Sequence, residues 1–246
     1  MYSTILCRTI ECLTRDPSQN RKGDPGVTIY KIELLKLQET IPDLTRFLSD
    51  SECQRANRYH FIKDKNRFII CRALLKLLLA EYTALDISQI SIEVDAHKKP
   101  YLPSHPSVYF NVSHSLDYAI IAIAENPVGV DLEYINKEFN YKEILPNVYH
   151  QKEMDEIEIS KDKYLTFYKL WTRKEAVVKA IGKGIDNDLY KISVIDGSHT
   201  IPSSLVCNQK NLYVFSFMVN HNYIGALALT VPINNLDDIL FQPLPR

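Results

Sequence analysis

Thr166-Phe167-Tyr168-Lys169-Leu170-Trp171-Thr172-Arg173-Lys174-Glu175-Ala176-Val177-Val178-Lys179-Ala180-Ile181-Gly182-Lys183-Gly184 reads as one helix. Tyr164, Tyr168, Trp171, Val178 and Gly182 recur at steps of three, four and seven, the spacing of one helical face. No proline interrupts the run, and Gly182 stands where a helix stops. Glu175 falls midway between Trp171 and Val178, and burying a carboxylate is costly unless a cation or donors meet it. Lys179 lies one turn on and could be that cation. By itself such a Glu–Lys pair is an ordinary helical ion pair. Two segments elsewhere in the chain lift it above the ordinary.

The first is Val128-Gly129-Val130-Asp131-Leu132-Glu133, whose alternation reads as a strand with one apolar face. Asp131 and Glu133 then project the same way, their Cα atoms roughly 7 Å apart. Like charges at ~6 Å repel by ~3 kcal/mol at an effective dielectric near 20. A solvated edge lessens that cost, and a divalent cation reverses it. Carboxylates select a hard, oxygen-seeking ion, Mg²⁺ rather than zinc. The second segment is Phe110-Asn111-Val112-Ser113-His114-Ser115, read as a short polar turn leading into the apolar strand Tyr118–Ala124. Alone, Ser-His-Ser is an ordinary surface turn.

Composition bounds the rest. The chain has 246 residues, 46% hydrophobic and 24% charged, as in a soluble globular protein of one large or two small domains. A net charge of −1 gives no basic field for nucleic acid or a membrane surface. No run approaches the ~20 apolar residues of a membrane span. Arg8 and Glu11 interrupt the only apolar stretch near the start, so Met1–Leu13 is not a signal peptide. Cys7, Cys12, Cys53, Cys71 and Cys207 are odd in number and lack a C-x-x-C spacing, which predicts reduced cytoplasmic thiols, with Cys71 in the core.

In order, residues 14–26 are polar and turn-rich, a predicted loop or disordered segment. A strand is expected over Val27–Leu35. Ser49 with Glu52 makes a capping pattern that opens a helix carrying Arg55 and Arg58. Lys63–Tyr82 is a long helix with Phe68, Leu75, Leu78 and Leu79 near one stripe and Arg67 and Arg72 off it. Strands follow at Ile90–Val94 and Val108–Val112, separated by the basic turn His97–Leu102. The pattern then recurs. Lys63-Asp64-Lys65 with Phe68 parallels Lys161-Asp162-Lys163 with Phe167, and Tyr118–Ala124 parallels Tyr223–Leu229 at an offset of 105 residues. Further strands are expected at Leu189–Ile195 and Leu212–Phe217. The fold class is therefore α+β: two similar halves, 1–126 and 127–246, each a long helix on a small, mainly antiparallel sheet, with a cleft between them.

Taken together and in this order, Asn-x-Ser-His-Ser, Gly-Val-Asp-Leu-Glu and Trp-Thr-Arg-Lys-Glu-Ala-x-x-Lys-Ala-x-Gly-Lys-Gly resemble the 4′-phosphopantetheinyl transferase superfamily, in its surfactin-type branch of two halves in one chain. The resemblance covers roughly Leu48 to Val231. It implies transfer of the 4′-phosphopantetheine arm of coenzyme A to a carrier-protein serine, releasing 3′,5′-adenosine bisphosphate. It implies Mg²⁺ held by Asp131, Glu133 and Glu175, with Glu175 as base, acting directly or through a metal-bound water, and Lys179 at the leaving phosphate. Ser113 and His114 match positions that contact the diphosphate. Lys99 and Arg55 match basic anchors of the 3′-phosphate, whereas Arg58, Arg67 and Arg72 read first as structural or solvated charges. Two departures stand out: Lys98 replaces the glycine before Lys-Pro, and Phe68 stands where some relatives carry a small hydroxyl residue. Tyr134–His150 reads equally as a docking segment for the carrier or as core of the second half. A monomer is expected. The competing functions are a Mg²⁺-dependent hydrolase of a nucleotide diphosphate and a non-catalytic module that binds coenzyme A or a carrier.

Overall fold

Four layers stack in the order helix, sheet, sheet, helix, with an apolar core in each of the three gaps. The structure is a computed structural model and describes residues 1–10, 26–182, 188–233, 241–242 and 244. Cys12, most of the polar stretch 14–26, and Lys183 and Gly184 of the quoted motif lie outside the described residues. In chain order come β1 (Tyr2–Thr9), β2 (Val27–Glu33), α1 (Ile41–Thr45), α2 (Asp50–Asn57), α3 (Ile62–Thr83), β3 (Glu93–Val94), β4 (Pro100–Tyr101), β5 (Tyr109–Ser115), β6 (Tyr118–Ala124) and β7 (Val128–Tyr134). Then follow α4 (Leu145–Val148), α5 (Gln151–Ile159), α6 (Lys163–Ile181), β8 (Gly197–Pro202), β9 (Asn211–Asn220), β10 (Tyr223–Leu229) and β11 (Phe241–Gln242). The sheet orders are β11-β2-β6-β5 and β7-β10-β9-β1-β8, mostly antiparallel; β3 and β4 form a separate hairpin.

The two halves are similar. Helix α3 covers one sheet and α6 the other. Strands β6 and β10 are apolar along their whole length because each is buried on both faces. Ala119, Ile121 and Ile123 of β6 meet α3, while Ile120, Ala122 and Ala124 meet the facing sheet. On β10, Ile224, Ala226 and Ala228 meet α6, while Tyr223, Leu227 and Leu229 meet the facing sheet. Each sheet also takes a strand from the far end of the chain. β1 runs between β9 and β8, with Ile5 and Cys7 fully buried, and β11 pairs in parallel with β2.

Several expectations need correction. Ser113-His114-Ser115 is not a turn but the end of β5; the turn is Leu116–Asp117. Of Ile90–Val94 only Glu93–Val94 pairs, because Ile90 closes a 3₁₀ turn over Ile87–Gln89. β2 ends at Glu33, where a 3₁₀ turn begins. No strand forms over Leu189–Ile195. Fully buried Lys174 binds the carbonyls of Leu189 and Ile192 at 3.1 and 2.6 Å, Glu153 accepts from Val194 N at 2.9 Å, and Arg173 donates to the Val194 carbonyl at 2.8 Å. Charged side chains thus occupy the backbone groups a ladder would need. The polar face of β7 is no solvated edge either: Asp131 is buried and Glu133 half-buried against α6.

Candidate active site at the seam between the sheets

A missing side chain sets the site's depth. A Cβ at Gly129 would collide with the Ala176 carbonyl oxygen and the Ala180 nitrogen, so only glycine lets α6 lie flush on β7. That contact brings Glu175 and Lys179 beside Asp131 and Glu133. The stripe read on α6 is mixed: Tyr168 and Val178 are buried, whereas Tyr164, Trp171, Glu175 and Gly182, with Lys179 beside them, are partly exposed, and Phe167, Leu170, Ala176, Val177 and Ala180 form the fully buried face. Gly182 ends the helix in the left-handed region, φ 72°.

Lys179 does not serve Glu175 as its ion-pair partner. Its ammonium donates to Asp131 Oδ1 at 2.6 Å, Ser113 Oγ at 3.3 Å and the Val130 carbonyl at 3.3 Å. Among the described residues, Asp131 Oδ2 and Glu175 Oε1 are buried without a hydrogen-bond partner. Burial, then the charge of Asp131, pushes Glu133 up to about 7, against the hydrogen bonds of Ser115 and Trp171 and the charge of Lys179. The same first two causes raise Glu175, with Lys179 opposing. Among the described residues no three His, Cys, Asp or Glu side chains form a ready-made metal site. The carboxylate cluster is therefore electrostatically frustrated rather than preassembled, with one lysine doing part of a cation's work.

On the other side of β5 lies a cavity of about 320 Å³, lined by Arg55, Tyr59, Arg67, Phe68, Arg72, Asn111 and His114 among others. Phe68 forms its platform: Arg55 and Arg72 lie over its ring at 5.0 and 5.6 Å, and Tyr59 meets it tilted by 38°, ring centres 5.6 Å apart. His114 is held below its ordinary value by desolvation and then by the Arg67 charge. Three guanidinium groups around an aromatic floor suit a phosphate beside a flat ring.

Both halves of the chain match known proteins. Residues 127–232 match the model of the 4′-phosphopantetheinyl transferase superfamily, and residues 37–126 match that of 4′-phosphopantetheinyl transferase, N-terminal. The chain is 30% identical to 4′-phosphopantetheinyl transferase HetI of Nostoc sp. over 165 residues, 65% of this chain and 70% of that one. It is 31% identical to 4′-phosphopantetheinyl transferase psf-1 of Bacillus pumilus over 177 residues, 65% and 71% of the two. With 4′-phosphopantetheinyl transferase Sfp of Bacillus subtilis it shares 28% over 201 residues, 79% and 88%. The chain belongs to the 4′-phosphopantetheinyl transferase superfamily.

As a phosphopantetheinyl transferase, the chain carries its residues in places that the motifs alone do not reveal. Arg55 and His114 line the arginine cavity together with Arg67 and Arg72, which by sequence read first as structural or solvated charges. Their signal was present: on α3 they lie five residues apart on either side of Phe68, which lines the same cavity. Ser113 is buried between β5 and β7 and bonds to Asp131 instead of facing the cavity. Lys99 is not among the cavity's lining residues. Its ammonium donates to the Ala180 carbonyl at 2.8 Å, at the C-terminus of α6, and its stem lies against Gly182; burial lowers it to about 8. Arg173 and Lys174 of the signature are structural. Arg173 also binds Ser216 Oγ and Asp196 at 2.6 and 2.7 Å, and Lys174 pairs with Glu153 at 2.8 Å, both groups fully buried. In Tyr134–His150, Tyr141 and Tyr149 are core, while Phe139 remains 40% exposed.

Proposed function

We propose that this chain transfers the 4′-phosphopantetheine arm of coenzyme A to a serine hydroxyl of an apo acyl or peptidyl carrier protein, releasing 3′,5′-adenosine bisphosphate. The observation that carries the reading is the pair of buried carboxylate oxygens, Asp131 Oδ2 and Glu175 Oε1, that have no partner among the described residues and lie across the Gly129 contact. Such oxygens are costly unless a cation meets them. Asp131, Glu133 and Glu175 are the residues that would hold Mg²⁺. When bound, Mg²⁺ neutralises charge on the diphosphate as its bond breaks.

The chain's own residues do the rest. The arginine cavity, with Arg55, Arg67, Arg72 and His114, anchors the adenosine end and its 3′-phosphate. Glu175, whose proton affinity is raised, takes the proton of the incoming serine. The serine oxygen bonds to the phosphorus bearing the pantetheine arm, and the bond from that phosphorus to the bridging oxygen breaks. Lys179 meets the charge left on the departing phosphate. The carrier approaches along the open groove bordered by Ser115, Glu133, Tyr134, Lys137 and Tyr168. The work is divided between halves that meet near Asn126–Pro127, in a cytoplasmic monomer.

The test is a mass-shift assay on apo-carrier proteins with coenzyme A and Mg²⁺. The wild type adds one phosphopantetheine; Glu175→Gln and Asp131→Ala each lose at least 100-fold in rate while remaining folded. Near-full activity in both variants would sink the role assignment. Release of adenosine bisphosphate at the same rate without a carrier would instead make the protein a hydrolase.

A further inference from the structure

Strands β5 and β7 stand side by side at the edges of different sheets, joined by side chains. The amides of Val130, Leu132 and Tyr134 on β7 donate to Asn111 Oδ1 at 2.9 Å, Ser113 Oγ at 3.2 Å and Ser115 Oγ at 3.0 Å. Residues 111, 113 and 115 share one face of β5, and a two-residue step is about 7 Å on either strand. Acceptors and donors therefore stay in register, which gives the Asn-x-Ser-x-Ser spacing a physical meaning. Both hydroxyls also do a second job. Ser113 Oγ donates to Asp131 Oδ1 at 2.9 Å, and Ser115 Oγ donates to Glu133 Oε2 at 3.1 Å. A hydroxyl can accept from an amide and donate to a carboxylate at once; alanine can do neither.

We propose that this hydroxyl ladder fixes the two carboxylates of β7 in their working orientation, which makes Ser113 and Ser115 positioning residues for the transfer; the inference rests on the transferase reading above. Each serine ties one carboxylate oxygen to the backbone just after that acid. On Asp131, Ser113 and Lys179 both take Oδ1, and Oδ2 is left turned inward and unpartnered. The ladder thus selects which oxygen stays free. Asn111 anchors the same strand pair at Val130 but touches neither acid, so the orienting function sits in the two serines.

The test compares Ser115→Ala with Val206→Ala, a cavity in the fully buried core beside the far edge strand β8. Both lower the melting temperature. With coenzyme A, Mg²⁺ and an apo-carrier that the wild type modifies, Ser115→Ala lowers kcat at least ten-fold. Its affinity for coenzyme A stays within two-fold, because Ser115 does not line the arginine cavity. Val206→Ala keeps kcat, and Ser115→Thr, which retains the hydroxyl, restores it. If Ser115→Ala does not fold, Ser115→Cys serves, with a thiol too weak as donor and acceptor and at least a five-fold loss expected. Equal kcat in Ser115→Ala and Val206→Ala at matched stability, or full activity in Ser115→Cys, overturns the proposal. A wild type that modifies no carrier overturns the transferase reading instead.

Discussion

At the scale of single residues, the seam holds carboxylates whose charged forms oppose folding. Glu133 is pushed up to about 7 from an ordinary 4.5. A carboxyl group with a raised folded value contributes most stability below its unfolded value. That contribution is lost as pH rises to the folded value. Without a bound ion, wild type should therefore lose about 1–3 kcal/mol between pH 4.5 and 7 through this group. Glu133→Gln removes the dependence: melting temperatures measured at pH 8 should rise above wild type, and the gap should close toward pH 4.5. A variant that melts lower than wild type at pH 8 contradicts the charge assignment. The same frustration explains why Lys179 leans on Asp131: its ammonium offsets part of the repulsion.

At the scale of elements, glycine and its replacement set how closely segments approach. Gly129 lets α6 touch β7, and Lys98 occupies a position built for glycine. The turn joining β3 to β4 holds Lys98 at φ 64°, the left-handed region, and Asp95 Oδ1 accepts from the amides of His97 and Lys99 at 2.8 and 2.9 Å around it. The departure from Gly-Lys-Pro therefore leaves the turn's backbone in a glycine-like conformation and strains the side chain bearer. Lys98→Gly should stabilise the protein by about 0.5–1 kcal/mol, a melting shift of about 1–4 °C, with transfer activity unchanged. A lower melting temperature, read by calorimetry, would show that the lysine stem contributes more than the strain costs.

At the scale of the whole molecule, the halves are interlaced. β1 belongs to the sheet of the second half and β11 to that of the first. Burying Ile5 and Cys7 between β9 and β8 requires residues roughly 200 positions apart to meet. Fragments 1–126 and 127–246 should each fail to fold alone, because each lacks a strand of its own sheet, and should regain cooperative unfolding when mixed. Circular dichroism melts of the separate and combined fragments check this; two independently folded fragments would contradict it.

How much of this was legible depended on range. Helix periodicity, the capping box at Ser49, the alternation of β7 and the paired strands β6 and β10 are local patterns, set by which residues sit two or four positions apart, and the sequence alone determined them along with the family motifs. The strand wrongly expected over Leu189–Ile195 failed because Lys174, Glu153 and Arg173, remote in sequence, capture its backbone. Partners of this kind were decided only in three dimensions: Lys179 on Asp131 across 48 residues, Lys99 on Ala180 across 81, β1 beside β9, and Arg55 of α2 over Phe68 of α3. A side-chain period records which way a residue faces, but what it faces depends on how the layers stack, and that is fixed by the burial of all three cores together.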